Sequence, residues 1–354
     1  MGESTLSALD LLMAFPLAAL HALQEAPASV VLTGVLGIVV IGVFALYLLI
    51  LLVAHNPRPE TADEKLYRTV LSSGAVSPPR SLPDVFTAET KPSLLISVVV
   101  PAYNERARLP IMLAEAVAHL STQPSTWEIL LIDDGSTDGT ATLALDWSRT
   151  RMQTHGDVAE DQIRVCVLGS NRGKGGAVTH GMRHVRGEFA VFADADGASR
   201  FADLETLFAE LRRVQVQACA IAVGSRAHMV TTDAVVKRAF VRNLLMHAFH
   251  TLIRTFGIRS IRDTQCGFKL LTREAVKAVF PYMHTEGWIF DIEILLLAGY
   301  KRIPVVEVPI TWHEVDGSKV SLVKDSLRMA WDLGVVRGGY LCGVYKIGDG
   351  GVRR

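Results

Sequence analysis

From Leu94 onward the chain alternates two apolar patterns. Short unbroken apolar runs of strand length give way to stretches in which apolar residues recur every three or four positions. Leu94 to Val100, Trp127 to Ile132, Ile163 to Leu168, Phe189 to Ala193 and Cys219 to Val223 read as buried strands. Between them, Leu109, Met112, Leu113, Ala116, Val117 and Leu120 share one helical face. Residues 140–147, 174–185 and 202–214 read as further helices. Strand–helix alternation predicts right-handed crossovers and a largely parallel sheet, hence an α/β fold. Ligands on such sheets bind beyond the carboxyl ends of the strands. The residues just after each run are therefore the first to read for chemistry.

The N-terminal part has a different pattern. Val30 to Ala54 carries no charge and is longer than the about 20 residues that cross a bilayer as a helix. It is too long for the apolar core of a cleaved leader, and no basic segment precedes it. One transmembrane helix over 30–54 is expected, rather than a buried core helix. Glu3, Asp10 and Glu25 precede it without any Lys or Arg, whereas Arg58, Lys65 and Arg68 come after it. The positive-inside rule thus places residues 1–29 across the membrane, in a lumen, and everything after 54 in the cytosol. The shorter apolar patch from Leu11 to Leu20, broken by Pro16, reads as a luminal or membrane-surface segment.

Residues 55–93 are rich in Pro, Ser, Thr and charge, with Pro78, Pro79, Pro83 and Pro92 among them. They read as a semi-rigid cytosolic tether with one short helix around Asp63 to Leu71. The domain that begins with this alternation is expected over 94–315. Within it, residues 235–256 place Val236, Phe240, Leu244, Leu245, Phe249, Leu252 and Ile253 in a broad stripe interleaved with Lys237, Arg238, Arg242 and Arg254. That pattern suits either an amphipathic helix at the membrane interface or a core-packing helix. The C-terminal segment 316–354 is a weaker amphipathic candidate, too interrupted by charge to span.

At 354 residues the chain can build one large domain or two ordinary ones. Its net charge is zero, which gives no case for nucleic acid as a partner. The scattered Cys166, Cys219, Cys266 and Cys342 show neither metal-ligand spacing nor a disulfide framework, consistent with a reducing compartment. Oligomeric state is not legible.

Polar clusters stand at four consecutive strand ends. Asp194-Ala195-Asp196 closes the fourth run, and two carboxylates at i, i+2 can hold a divalent cation against a phosphorylated ligand. Pro101-Ala102-Tyr103-Asn104-Glu105 closes the first, either as an ordinary loop capped by Asn104 or as a ligand rim. Asp133 and Asp134 close the second, and their adjacent carboxylates suit a pyrimidine imide or ribose hydroxyls. Asn171-Arg172-Gly173-Lys174-Gly175-Gly176 comes after the third, with glycines that allow close backbone approach and a cation at a helix start. Its spacing is not that of a Walker loop.

Together these segments resemble the inverting GT-A nucleotide-sugar glycosyltransferases, and the closer match is to the dolichyl-phosphate β-glucosyltransferases of the endoplasmic reticulum. The resemblance rests on SVVVPAYNE (97–105), EILLIDDGSTDGT (128–140), NRGKGGAV (171–178), FADADG (192–197), GSR (224–226), DTQCGFKL (263–270) and GWIFDIEILLLA (287–298). It implies a Rossmann-like GT-A domain on the membrane, UDP-glucose as donor, dolichyl phosphate as acceptor and Mg²⁺ or Mn²⁺ as cofactor. Pro101, Tyr103, Glu105 and Asp133 would line the uracil and ribose site, with Asp134 nearby and Lys174 close to the nucleotide or sugar. Asp194 and Asp196 would hold the sugar and the metal, Asp196 as its ligand.

Asp291, on an apolar helix, would face the sugar as a third catalytic carboxylate; a helix-start residue favoured by the dipole is the other reading. Arg226, Lys237, Arg238 and Arg242 are candidates for the acceptor phosphate. The same chemistry with another sugar, as in a dolichyl-phosphate mannosyltransferase, is the alternative. A catalytically dead scaffold is disfavoured, because no expected carboxylate is missing.

Overall fold

Residues 26–87, 91–123, 125–231, 261–315 and 322–348 are described by the computed structural model. They fall into one unit ending at Ala54 and a larger one beginning at His55. In the first, helix α1 (Ala28–Val53) has 26 residues and so extends about 39 Å at 1.5 Å per residue. It is long and apolar enough to cross a membrane, as its uncharged pattern predicts. The patch from 11 to 20 lies outside the described residues.

The larger unit opens with two short antiparallel strands, β1 (Leu66–Tyr67) and β2 (Arg80–Ser81). Then β3 (Leu94–Ala102), helix α2 (Leu109–Leu120), β4 (Trp127–Asp133), α3 (Thr140–Thr154), β5 (Ile163–Val167), α4 (Lys174–Arg183), β6 (Gly187–Ala193), α5 (Leu204–Val214) and β7 (Ile221–Ser225) alternate along the chain. After them come β8 (Phe268–Thr272), α6 (Arg273–Val279), α7 (Phe290–Tyr300), β9 (Val305–Pro309) and α8 (Leu322–Leu341). Seven strands form one sheet in the order β5-β4-β3-β6-β8-β7-β9.

The expected α/β fold with a largely parallel sheet is the one observed. Strands β3, β4, β5 and β6 run parallel, because helical crossovers join them. Ile96, Val98, Val99 and Val100 of β3 are buried, as the continuous apolar run of a strand covered on both faces requires. The six apolar residues assigned to one face of α2 are all buried. Strand β8 departs from the alternation. It runs antiparallel between β6 and β7, pairing Ala193 with Phe268 and Ile221 with Leu271.

The stretch read as a tether behaves otherwise. Its short helix is only a turn at Asp63–Lys65, and the residues after that turn lie along the sheet. Arg68 donates to the Val165 carbonyl at 2.9 Å and accepts from Val165 at 2.8 Å, while Thr69 Oγ1 donates to the Ile163 carbonyl at 2.8 Å. Strand β5 is an edge strand with unpaired backbone groups, and this segment covers them. Composition signalled the prolines and missed that demand. The stripe 235–256 lies outside the described residues. In helix α8, Leu333, Val336 and Tyr340 are buried, whereas the apolar Leu327, Trp331 and Leu341 are exposed.

Glu64 fixes this segment to the domain. Its carboxylate accepts from Thr61 N (2.8 Å), Gly169 N (3.1 Å) and Arg172 Nη2 (2.7 Å) while 2% exposed. Burial alone would push the carboxyl up, but Arg172 and the two amides outweigh it and hold it at about 2, against an ordinary 4.5. A depressed carboxylate contributes stability above its unfolded pKa and loses it as pH falls through its folded one. The wild-type chain should therefore lose this contribution between pH 4.5 and about 2. Glu64→Gln, which leaves the buried Arg172 with only the longer pair to Glu286, should cost about 3 kcal/mol near neutrality. It should also flatten the acid limb of stability in urea titrations across that pH window. An unchanged acid limb would assign the anchoring to other contacts.

Candidate active site

Local sequence places the four strand-end clusters side by side. At the end of β3, Pro101 has no N–H to offer, and pairing with β6 has already ended at Val99. Tyr103 comes next but one as an exposed ring. Asn104 adopts a left-handed φ of 52°, a conformation that Asn tolerates better than most residues. It ties the first loop to the second: its N–H donates to Ser136 Oγ and its Oδ1 accepts from Thr137 N, both at 2.8 Å. Glu105 N donates to Thr140 Oγ1 at 2.9 Å, and its carboxylate takes both prongs of Arg108 at 2.7 Å.

The two carboxylates after β4 are buried and engaged with backbone. Asp133 accepts from Ser136 N at 2.8 Å and Ala141 N at 3.0 Å, so it shapes the turn into α3. Asp134 accepts from Arg172 N at 2.6 Å and Gly173 N at 2.9 Å, so it holds the loop before α4. Burial pushes the Asp134 carboxyl up to about 6 even against those two bonds. Pro101, Tyr103, Glu105, Asp133 and Asp134 thus share one rim. Each oxygen of the two aspartates already accepts a backbone N–H.

Lys174 begins α4 and reaches the end of β6, its Nζ 2.5 Å from Asp194 Oδ1. Burial opposes its charge, but Asp194, Asp291 and Asp196 more than compensate and raise its pKa. Asp196 bonds Ala198 N through Oδ1 at 3.0 Å. Burial first, and then the neighbouring Asp194 charge, raise its pKa above the ordinary carboxylate range. Asp291, in the first turn of α7, is buried and ion-paired with Lys269. Burial raises its pKa despite Lys269 and Lys174. Asp194, Asp196 and Asp291 therefore share one electrostatic site with Lys174, and Asp291 stands in the first turn of its helix.

Lys269 escapes sequence reasoning. It is fully buried on β8 and also donates to the Cys266 carbonyl at 2.9 Å. Its signal is a lysine in the middle of the apolar strand 268–272. Glu293 of α7, fully buried too, accepts from His284 N, Thr285 N and the Tyr340 hydroxyl at 2.8–2.9 Å. Arg226 closes β7: its guanidinium forks onto Asp263 through Nε at 2.7 Å and Nη2 at 2.9 Å, above the Trp312 ring. Asp263 and, more weakly, Asp194 raise its pKa against burial. Lys237, Arg238 and Arg242 lie outside the described residues.

Two glycines set the spacing. A Cβ at Gly175 would fall 2.6 Å from Phe290 Cβ and 2.8 Å from the Gly287 carbonyl, so this glycine admits the start of α7 rather than a ligand. A Cβ at Gly267 would fall 2.0 Å from Asp194 Oδ2.

Two carboxylates at one buried strand end, with the charge of Asp194 felt at Asp196, are a fitting donor set for a hard divalent cation. Asp194 and Asp196 would hold it, and Lys174 stands where it would neutralise the remaining charge.

Residues 97–280 match the profile of glycosyl transferase family 2. A dolichyl-phosphate beta-glucosyltransferase of Saccharomyces cerevisiae is 47% identical over 313 residues, covering 86% of this chain and 92% of the relative. One from Homo sapiens is 41% identical over 274 residues, covering 75% and 81%. The chain belongs to glycosyl transferase family 2, among the dolichyl-phosphate beta-glucosyltransferases. Among solved structures, glucosyl-3-phosphoglycerate synthase from Mycobacterium tuberculosis in complex with Mn²⁺, UDP-glucose and phosphoglyceric acid is 19% identical. It covers 70% of this chain and 80% of that chain at a TM-score of 0.49, too distant to bear on ligands.

Gly267→Ala provides a direct test of the site. The Asp194 carboxylate is short and must swing away, while the surrounding sheet can stay in place. Sugar transfer should fall about 100-fold with the circular dichroism spectrum unchanged. Full activity would show that the position of Asp194 is not critical.

Proposed function

We propose that this chain transfers glucose from UDP-glucose to dolichyl phosphate with inversion, giving dolichyl β-D-glucosyl phosphate and UDP. The product would serve as a glucose donor for lipid-linked oligosaccharide assembly in N-glycosylation. The observation that carries the reading is the Asp194, Asp196 and Lys174 cluster at the end of β6, in a chain whose relatives are dolichyl-phosphate beta-glucosyltransferases. α1 would anchor the chain in the endoplasmic reticulum membrane as a single span, with the catalytic domain cytosolic. The basic residues after the span and their absence before it support that orientation.

In this reading the strand-end rim of Pro101, Tyr103 and Glu105 lies against the uracil and ribose, and Asp133 and Asp134 keep that rim in shape. Asp194 orients the sugar, while Lys174 offsets charge on the diphosphate. Asp196, with Asp194 beside it, would hold Mg²⁺ or Mn²⁺. Such an ion supplies stabilisation of the charge that grows on the departing UDP. Asp291 and Lys269 form a buried pair beneath these groups and keep Lys174 and Asp194 in register.

The acceptor needs no strong general base, because a phosphate monoester is largely dianionic above its second pKa of about 6. It needs cations that aim one of its oxygens at the anomeric carbon. Arg226 is pre-oriented by Asp263 for that task, and Lys237, Arg238 and Arg242 would extend the cationic surface. The stripe 235–256 and the exposed Leu327, Trp331 and Leu341 of α8 would meet lipid at the headgroup level.

The purified full-length chain in detergent, with Mg²⁺ or Mn²⁺ and dolichyl phosphate, should move label into the lipid phase from UDP-glucose but not from GDP-mannose. Transfer from GDP-mannose alone would keep the chemistry and reassign the donor. Asp196→Ala should lower turnover at least about 100-fold with the fold intact; an active variant removes the metal assignment. Arg242→Ala should raise the KM for dolichyl phosphate more than that for UDP-glucose. An unchanged acceptor KM moves the acceptor site elsewhere.

A further inference from the structure

A second cluster lies at the other end of α4 from Lys174. His180 sits six residues along that helix, about 9 Å by helical rise, and His184 stands just past its end. Both rings are buried, at 4% and 2% exposure. Glu60, from the segment that covers the sheet edge, reaches them. The three donor atoms lie within 4.8 Å of one another.

We propose that Glu60, His180 and His184 bind one divalent zinc-type ion, which fastens the 60–84 segment to the helix carrying Lys174. This proposal stands independently of the donor sugar and of the metal at Asp196.

The hydrogen bonds around the rings determine which nitrogens are available. His180 Nε2 lies 2.9 Å from the Glu64 carbonyl oxygen, and His184 Nδ1 lies 2.5 Å from that of Pro83. A carbonyl only accepts, so each ring carries a proton on that nitrogen, and in the neutral imidazole the other nitrogen is a lone pair. The opposite nitrogens, His180 Nδ1 and His184 Nε2, are buried and, among the described residues, have no acceptor in line with a ring N–H. Both face the same atom: Glu60 Oε1 is 3.0 Å from the first and 3.5 Å from the second. Lone pairs aimed at a carboxylate oxygen repel it unless a cation lies between. The two spacings to Glu60, 3.0 and 3.5 Å, bracket the edge of a tetrahedron with zinc bonds of 2.0–2.1 Å, about 3.4 Å.

Each donor is also fixed from behind. The two carbonyls orient the rings, and Arg183 Nη1 holds Glu60 Oε2 at 2.9 Å while its Nη2 bonds Asp84 at 2.6 Å. Outer partners of this kind accompany metal-ligating imidazoles and carboxylates. Two imidazoles and one carboxylate suit zinc, whereas the all-carboxylate pair Asp194 and Asp196 suits a harder ion. Cysteine spacing gave no hint of such a site, because none of its donors is a cysteine. The competing account places a second proton on one imidazole, shared with Glu60.

The test uses full-length protein in detergent, freed of any histidine tag and extensively dialysed. Elemental analysis should find roughly one zinc per chain, retained in Asp196→Ala and lost in His180→Asn and in Glu60→Gln. Removing the zinc with a strong chelator should lower the thermal midpoint of the wild type by several degrees, and added Zn²⁺ should restore it. Glu60→Gln should show no such response. Titrating the metal-free wild type with Co²⁺ should give the visible absorption of a tetrahedral site. Wild-type protein without zinc that gives no such absorption would overturn the proposal in favour of the shared proton. Zinc kept in the His180 and Glu60 variants but lost in Asp196→Ala would place the ion at the other site.

Discussion

Like charges cannot gather in a dry place without opposite charge between them. Asp194, Asp196 and Asp291 meet at one edge of the sheet, and Lys174 and Lys269 are the cations that make the gathering possible. The constraint reaches outward. For Lys174 to arrive, α4 must start against α7, which requires Gly175 to have no side chain. For Lys269 to arrive, a strand must lie beside β6, and β8 does so in the antiparallel sense. Removing one partner of such a set would leave uncompensated buried charge, far costlier than the loss of a surface pair.

Antiparallel β8 is also what brings the DTQCGFK motif to the centre. A parallel strand would need a crossover helix and would enter from the opposite end of the sheet. Entering antiparallel, the chain places Gly267 directly against Asp194, with Asp194 N bonded to the Gly267 carbonyl at 3.1 Å. The motif thus contributes through backbone and an absent side chain at Gly267, and through the side chains of Asp263 and Lys269.

Much of this was legible in the sequence, and the limits have physical causes. Strands β3 to β7 and the face of α2 come from periodicity, because strands covered on both faces are apolar throughout and an amphipathic helix keeps one face. The acidic and glycine-rich loops could be placed at strand ends for the same reason. Strand β8 could not be read, since only five residues separate its start from α6 and a lysine breaks the apolar run. The backbone bonds of Asp133 and Asp134 are invisible too: the letter shows a carboxylate and not the amides that donate to it. The 60–84 segment was misread because composition reports prolines but not the open edge of β5.

Arg226 and Asp263 stand at the two ends of an excursion that leaves β7 and returns before β8. Their ion pair closes the mouth of that excursion on the sheet itself. The entropy of closing such a loop grows only slowly with its length, so a clamped mouth separates what happens beyond it from the geometry of the catalytic edge. The excursion can thus act as an exchangeable cassette. Selection can change the length or composition of that stretch while the carboxylates on the sheet side of the clamp keep their places.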